Sequence, residues 1–176
     1  MAGYTQPVAL DHKRHRIDAF VSTSETQTRW LRHHGVSAHR GDFAKVIVTT
    51  PVGSDNVVGY YTLHGGALSV SVAPTKLGQG NGNHDIPIAL IGRLAVHVDH
   101  TGQRLGKHLL LDALRRSVAI ATSDLGLRGV LVNCEDAKAR EFYLHVIPAF
   151  EPLPSDDLTL VVSMKSLRAS LTGPAN

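Results

Sequence analysis

The amino-acid sequence predicts a single α/β domain over residues 1–176, and three stretches carry that reading. The first is Ile88 to Arg116, IALIGRLAVHVDHTGQRLGKHLLLDALRR, where an apolar β-run (Ile88 to Val98) meets a polar loop (Asp99 to Arg104) and then a helix. Leu105, Leu109, Leu110 and Leu114 recur at helical spacing and mark that helix's buried face. The second is a set of short β-rich runs between Ala44 and Val72, broken by turn-forming residues. The third is another strand-then-helix pair, Val130 to Tyr143. At 176 residues, with 43% hydrophobic and 19% charged content, the chain is of single-domain size and able to bury a core. It shows no internal repeat.

Taken in order, Pro7 to Leu10 fits a short first strand and Asp11 to Arg16 a charged loop, after which Ile17, Phe20 and Val21 return to the core. A helix is expected from about Ser24 to His39, and Ser22 with Glu25, or Ser24 with Gln27, offers a capping box. Trp30 and Leu31 fall on its buried side, Arg29, Arg32, His33 and Arg40 form a basic flank, and Gly35 weakens its middle. Strands follow at Ala44 to Thr50, Val57 to Leu63 and Ala67 to Val72, with Pro51 to Asn56 as the turn of a hairpin. Pro74 to Pro87, rich in Gly, Asn and Pro, reads as the longest loop. The helix from Gly106 ends near Gly126, Gly129 to Cys134 is a strand, Asp136 to His145 a helix, and Leu158 to Met164 closes the sheet. The core is expected to span about residues 7–167, and 168–176 to form a frayed tail.

A net charge of +3 favours a polyanionic partner, and eleven histidines add charge at mildly acid pH. Cys134 is the single cysteine, which excludes an intramolecular disulfide and suits a reducing compartment. Arg93 and His97 interrupt the longest apolar run, so no membrane span is expected. The charged Asp11 to Arg16 leaves no apolar signal-peptide core, and a cytoplasmic protein is the expectation. No metal is expected: His33 and His34 face different ways on a helix, and His97 and His100 lack a clear third ligand.

Chemistry concentrates where the strand–loop–helix presents backbone N–H groups to an anion. Gly102 and Gly106 keep the backbone bare for a phosphate, and Gln103, Arg104, Lys107 and His108 add donors and charge. Ordinary α/β packing with a solvated helix end accounts for the same residues. Tyr143 is either a packed aromatic or a proton-donating phenol, with Phe142 beside it in the core. Cys134 has no His or Asp at a telling position and reads as a core cysteine.

Leu94-Ala95-Val96 followed by Thr101-Gly102-Gln103-Arg104-Leu105-Gly106 resembles the acetyl-CoA signature of the Gcn5-related N-acetyltransferase family. That signature is an apolar strand, then Gln/Arg-x-x-Gly-x-Gly/Ala at a helix start. Gly106 stands at the last glycine, Thr101 at the Gln/Arg, and Arg104 at the first glycine. Val130 to Asn133, Asp136 and Phe142-Tyr143 resemble the family's later strand and helix, with Ala149-Phe150 where Gly-Phe is usual. Ile91 to Val96 and Phe20…Trp30-Leu31 are similar to the acetyltransferase toxins of toxin–antitoxin pairs, which acetylate aminoacyl-tRNA. The resemblance runs from Pro7 to Leu167.

The resemblance implies one acyl-CoA N-acyltransferase domain with a mixed, mostly antiparallel sheet flanked by helices. It implies an enzyme using acetyl-CoA to acetylate the α-amino group of aminoacyl-tRNA, a toxin that blocks translation. Tyr143 then serves as general acid, and the Leu94, Ala95 and Val96 backbone holds the thioester and pantetheine arm. Gly102, Gln103, Arg104, Leu105, Gly106 and Lys107 take the CoA phosphates, and Asn133 the pantetheine. Arg32 and Arg93 contact the substrate, within a basic flank that includes Lys13, Arg14, Arg16, Arg29, Arg40 and Lys45. The implied partners are aminoacyl-tRNA and a ribbon-helix-helix antitoxin that carries operator DNA, and a homodimer is allowed. Two alternatives stand beside this reading: an acetyltransferase of a small amine or protein amine, and a non-catalytic acetyl-CoA-sensing module.

Overall fold

The computed structural model describes residues 3–173, which fall into two compact units. The first takes the chain up to His64 together with Gly92–Ala113; the second takes Gly65–Ile91 and the chain from Leu114 on. In the first, β1 (Val8–Ala9) pairs antiparallel with β2 (Lys45–Thr49), which pairs antiparallel with β3 (Gly59–Leu68) in the register Lys45↔Leu63 to Thr49↔Gly59. Gly53, at φ 83° in the turn between β2 and β3, supplies the left-handed residue this hairpin needs. The core here joins Leu10, Phe20, Leu31, Val46, Tyr60 and Ala95.

The helical segment is divided. Ser24 caps α1 (Glu25–Trp30) by accepting the Gln27 N–H at 3.2 Å, so the second of the two expected caps is the one formed. Leu31–Gly35 then widen into a π turn before α2 (Val36–Arg40). A β-carbon at Gly35 would stand 3.0 Å from Leu31 Cδ1, so the expected weak point lies where the helix changes pitch and leaves little room for a side chain.

In the second unit, α3 (Thr75–Gly78) precedes the start of β4 (Ile86–Val96), which pairs in parallel with β5 (Gly129–Asn133); from Gly92 on, β4 belongs to the first unit. The helix α4 (Leu105–Ser123) makes the crossover that a parallel pair requires. Leu105, Leu109, Leu110 and Leu114 are all buried on it, as their spacing predicted. After α5 (Ala137–Val146) come β6 (Glu151–Leu153), β7 (Asp156–Ser163) and α6 (Met164–Thr172). Strand order is β1-β2-β3-β4-β5-β7-β6, a mixed and mostly antiparallel sheet.

Four expectations are corrected. Val57 to Leu63 and Ala67 to Val72 are not separate strands: β3 runs unbroken through Gly65 and Gly66, neither of which has positive φ. The expected loop from Pro74 to Pro87 contains α3, and β4 begins inside it at Ile86. The strand read at Leu158 to Met164 does not close the sheet, since β7 lies between β5 and the unforeseen β6. Residues 168–172 are helical, held by buried Leu167 and by the Ser163 cap on Ser166 N–H; residues 174–176 lie outside the described part. No helix among the described residues is long and apolar enough to cross a membrane.

Candidate active site

In the first unit, β4 leads through a 3-10 turn (Val98–His100) into the loop ahead of α4. Gly102 has φ 75° and Arg104 φ 62°, both in the left-handed region. Arg104, at the position of the signature glycine, thus holds a backbone conformation that glycine adopts most readily. Helical bonding opens with His108 N–H donating to the Arg104 carbonyl at 3.0 Å, which leaves the N–H groups of Leu105, Gly106 and Lys107 at the end of the helix. The first turn holds no acidic residue, and buried Leu105 anchors it. Gly102, Gln103, Arg104 and Lys107 are exposed around this positive helix end, an arrangement that accepts phosphate. A left-handed non-glycine residue costs about 1–2 kcal/mol. Arg104→Gly should thus raise stability by about 1 kcal/mol and the melting temperature by about 2–4 °C in thermal unfolding.

Tyr4, which the sequence did not single out, fastens this loop to the start of the chain. Its hydroxyl donates to Gln103 Oε1 at 2.6 Å and lies 2.9 Å from His100 Nδ1. A phenol has one proton to give, so the His100 contact requires His100 to donate from Nδ1. His97 has the other tautomer: Nδ1 accepts from Asp99 N–H and Nε2 donates to the Ala19 carbonyl. Both sides of the loop are tied down before any ligand arrives.

Leu94, Ala95 and Val96 form the end of β4. The described ladder between β4 and β5 stops at Ile91↔Val132, and β4 continues past it from Gly92 to Val96. Arg93 donates to Gln27 Oε1 at 3.1 Å, and its guanidinium carbon sits 4.7 Å over the Trp30 ring. Trp30 in turn stacks on Tyr60, with centroids 6.1 Å apart and planes 8° from parallel. Gln27 also accepts from the Tyr60 hydroxyl, a role its sequence position did not signal. Neither Gln27 nor Trp30 is anionic, so the charge of Arg93 is not cancelled. Arg32 stands apart from this stack, half-buried in the wall of a pocket with Arg16 and Asp18. Within the basic flank, Lys45 is paired to Asp42 and Arg14 to Asp55.

Tyr143 and Asn133 belong to the second unit. Asp136 caps α5 by accepting the Ala139 N–H at 2.8 Å, which sets the helix that carries Tyr143. Tyr143 is 6% exposed, its ring edge-on to Phe142 and Phe150 with centroids 5.3 and 6.2 Å away. The expected order is reversed here, since Phe142 is half-buried and Tyr143 is the core ring. Burial, followed by the nearby Cys134 thiol, raises the Tyr143 phenol above its ordinary pKa. Burial likewise pushes the Cys134 thiol up to about 11, the state of an unreactive cysteine. Asn133 is exposed at the end of β5, with its Oδ1 3.0 Å from Thr159 Oγ1, whose single proton goes to Asp156 Oδ2 at 2.6 Å. Among the described residues no group of three or more His, Cys, Asp or Glu side chains is placed to hold a metal ion.

The mixed sheet, with a left-handed turn opening a helix after its central strand, is the arrangement that the resemblance to the Gcn5-related N-acetyltransferase class implies. No family model matches the chain. It is 35% identical over 169 residues to the tRNA-acetylating toxin of Mycobacterium tuberculosis (strain ATCC 25618 / H37Rv), covering 96% of this chain and 98% of that protein. The chain belongs to the family of tRNA-acetylating toxins. Its fold matches AtaT complexed with acetyl-methionyl-tRNAfMet at a TM-score of 0.84, with 25% identity over 97% of this chain and 100% of that one. A tyrosine-to-phenylalanine mutant of AtaT, bound to acetyl-CoA and to the C-terminus of the antitoxin AtaR, matches at a TM-score of 0.80, with 23% identity over 97% of this chain and 99% of that one.

Proposed function

We propose that this chain transfers the acetyl group of acetyl-CoA to the α-amino group of aminoacyl-tRNA, and so acts as the toxin of a toxin–antitoxin pair. The observation that carries the reading is the loop at 101–107: left-handed Gly102 and Arg104 ahead of the open end of α4, in a chain akin to a tRNA-acetylating toxin. Gly102 through Lys107 take the phosphates, with Arg104 adding a guanidinium where the signature has only backbone. Past its ladder with β5, the backbone N–H groups of Leu94 to Val96 hold the thioester carbonyl as charge develops on its oxygen. Asn133 steadies the pantetheine arm through its amide. Tyr143 keeps its proton well above neutral pH and gives it to the departing thiolate. Arg32 and Arg93 supply positive charge toward the RNA.

An α-amino group has a reference pKa of about 7.7–8.0 against about 10.4 for lysine, and an adjacent ester lowers it further. The acceptor is thus substantially neutral at physiological pH, and the site needs no strong base. The antitoxin is a ribbon-helix-helix protein that joins the toxin to operator DNA. A single buried cysteine with no partner for an intramolecular disulfide, together with a translational substrate, supports a cytoplasmic location. The test is thiol release on a panel of acceptors. Charged tRNA should be acetylated and deacylated tRNA should not; polyamines or lysine peptides proving much better acceptors would replace this reading with the small-amine one.

A further inference from the structure

A second concentration of positive charge lies in the first unit, in residues separate from the loop at 101–107. Residues 12–18, Arg32, Val36 and Asp55 line a pocket of about 510 Å³, within the range of small-molecule sites. Its charged residues are Lys13, Arg14, Arg16 and Arg32 against Asp18 and Asp55. Arg14 is committed to Asp55 at 3.1 Å; Lys13, Arg16 and Arg32 have no ion pair among the described residues.

Arg32 adds the telling detail. Its Nε is buried and is without a hydrogen-bond partner among the described residues. Folded chains rarely leave such a donor unsatisfied; the half-buried guanidinium is not held through it by the described residues, and its outer nitrogens are the part an acceptor in the pocket can reach. His15, 8% exposed, lines the same wall. Its Nδ1 accepts the Asp11 N–H at 2.9 Å, so the neutral ring has its proton on Nε2 and offers a further donor. Burial and then the charge of Arg14 lower the His15 pKa, the second cause registering the positive field of this wall.

We propose that this pocket binds the phosphate of a nucleotide unit, held by Arg32, Arg16 and Lys13. A carboxylate is satisfied by one guanidinium, whereas a lining with three cations outside any ion pair suits a phosphate, which accepts through at least two charged oxygens and two ester oxygens or further charged ones. The cavity volume leaves room for the attached nucleoside. The nucleotide is part of an RNA chain or free; the RNA form rests on the tRNA reading above and makes this a discrete contact to the tRNA body.

The test measures the affinities of adenosine 5′-monophosphate and of deacylated tRNA for the wild type, Arg32→Gln and Arg16→Gln. The Michaelis constant for acetyl-CoA and the melting temperature are the controls. A fall of about tenfold or more in either affinity, with the acetyl-CoA constant unchanged, is expected for loss of a charge-assisted bond. A fall for tRNA with no binding of the mononucleotide identifies an RNA phosphate. A fall for the mononucleotide with tRNA unchanged identifies a free nucleotide. Arg16 is exposed, so its variant keeps the test valid if Arg32→Gln does not fold. Unaltered affinity for both ligands in folded Arg16→Gln, or weaker acetyl-CoA binding in step with them, overturns the proposal. Failure of the acetyl-transfer reading shows separately, as wild-type protein that does not acetylate charged tRNA.

Discussion

Tyr143→Phe is expected to lower acetyl transfer by about 10²–10⁴-fold, the range for loss of a general acid, with acetyl-CoA affinity barely changed. The substitution deletes the hydroxyl and keeps the ring that packs edge-on against Phe142 and Phe150, so the fold should survive. A phenol raised above its ordinary pKa is a weak acid toward bulk water, but on the proposed reading its acceptor is a thiolate whose basicity burial beside the phenol would raise as well. Burial that moves the Cys134 thiol up to about 11 shows how a thiolate there gains basicity. Proton transfer between two groups raised by one cause is better matched than their reference values imply. The acid form is the active one and the folded pKa is raised, so phenol ionisation should remove no activity up to about pH 10. Single-turnover thiol release with calorimetry of acetyl-CoA binding measures both halves. Turnover within a few-fold of wild type would take Tyr143 out of the mechanism.

What the sequence made legible is what short-range periodicity encodes. The α4 leucines, the Ser24 cap and the turn ahead of α4 are each set by residues within a few positions of one another. Contacts across the chain left no such mark. Tyr4 reaches His100 and Gln103 across 96 and 99 positions, and Gln27 reaches Arg93 across 66. β6 is three residues long and contains Pro152, too short for alternation to register and in conflict with strand propensity. Arg104 is the instructive case. As a sequence change it looked like loss of a glycine, whereas its φ of 62° lies in the left-handed region that glycine favours, with a side chain added.

Gly129→Ala should be the most damaging of the small substitutions, and its effect should fall on stability alone. Gly129 opens β5 opposite Ser163 of β7. A β-carbon there would stand 2.5 Å from the Val162 carbonyl oxygen and 3.4 Å from Leu77 Cδ1. The nearer atom is backbone within a ladder and cannot rotate aside as a side-chain tip does, so β5 must shift against β7. Overpacking of this kind costs about 1–3 kcal/mol, and a backbone obstacle argues for the upper end. For a chain of this size that lowers the melting temperature by about 2–12 °C. Gly126→Ala is the control, because nothing lies within 4 Å of its added β-carbon; it should be neutral, or stabilise by up to about 1 kcal/mol through the unfolded chain. β5 leads through Asn133 to the helix of Tyr143, so a local shift at its first residue should leave turnover per folded molecule near wild type. Equal melting temperatures for the two variants would show that β5 and β7 are not packed as closely as the Gly129 backbone implies.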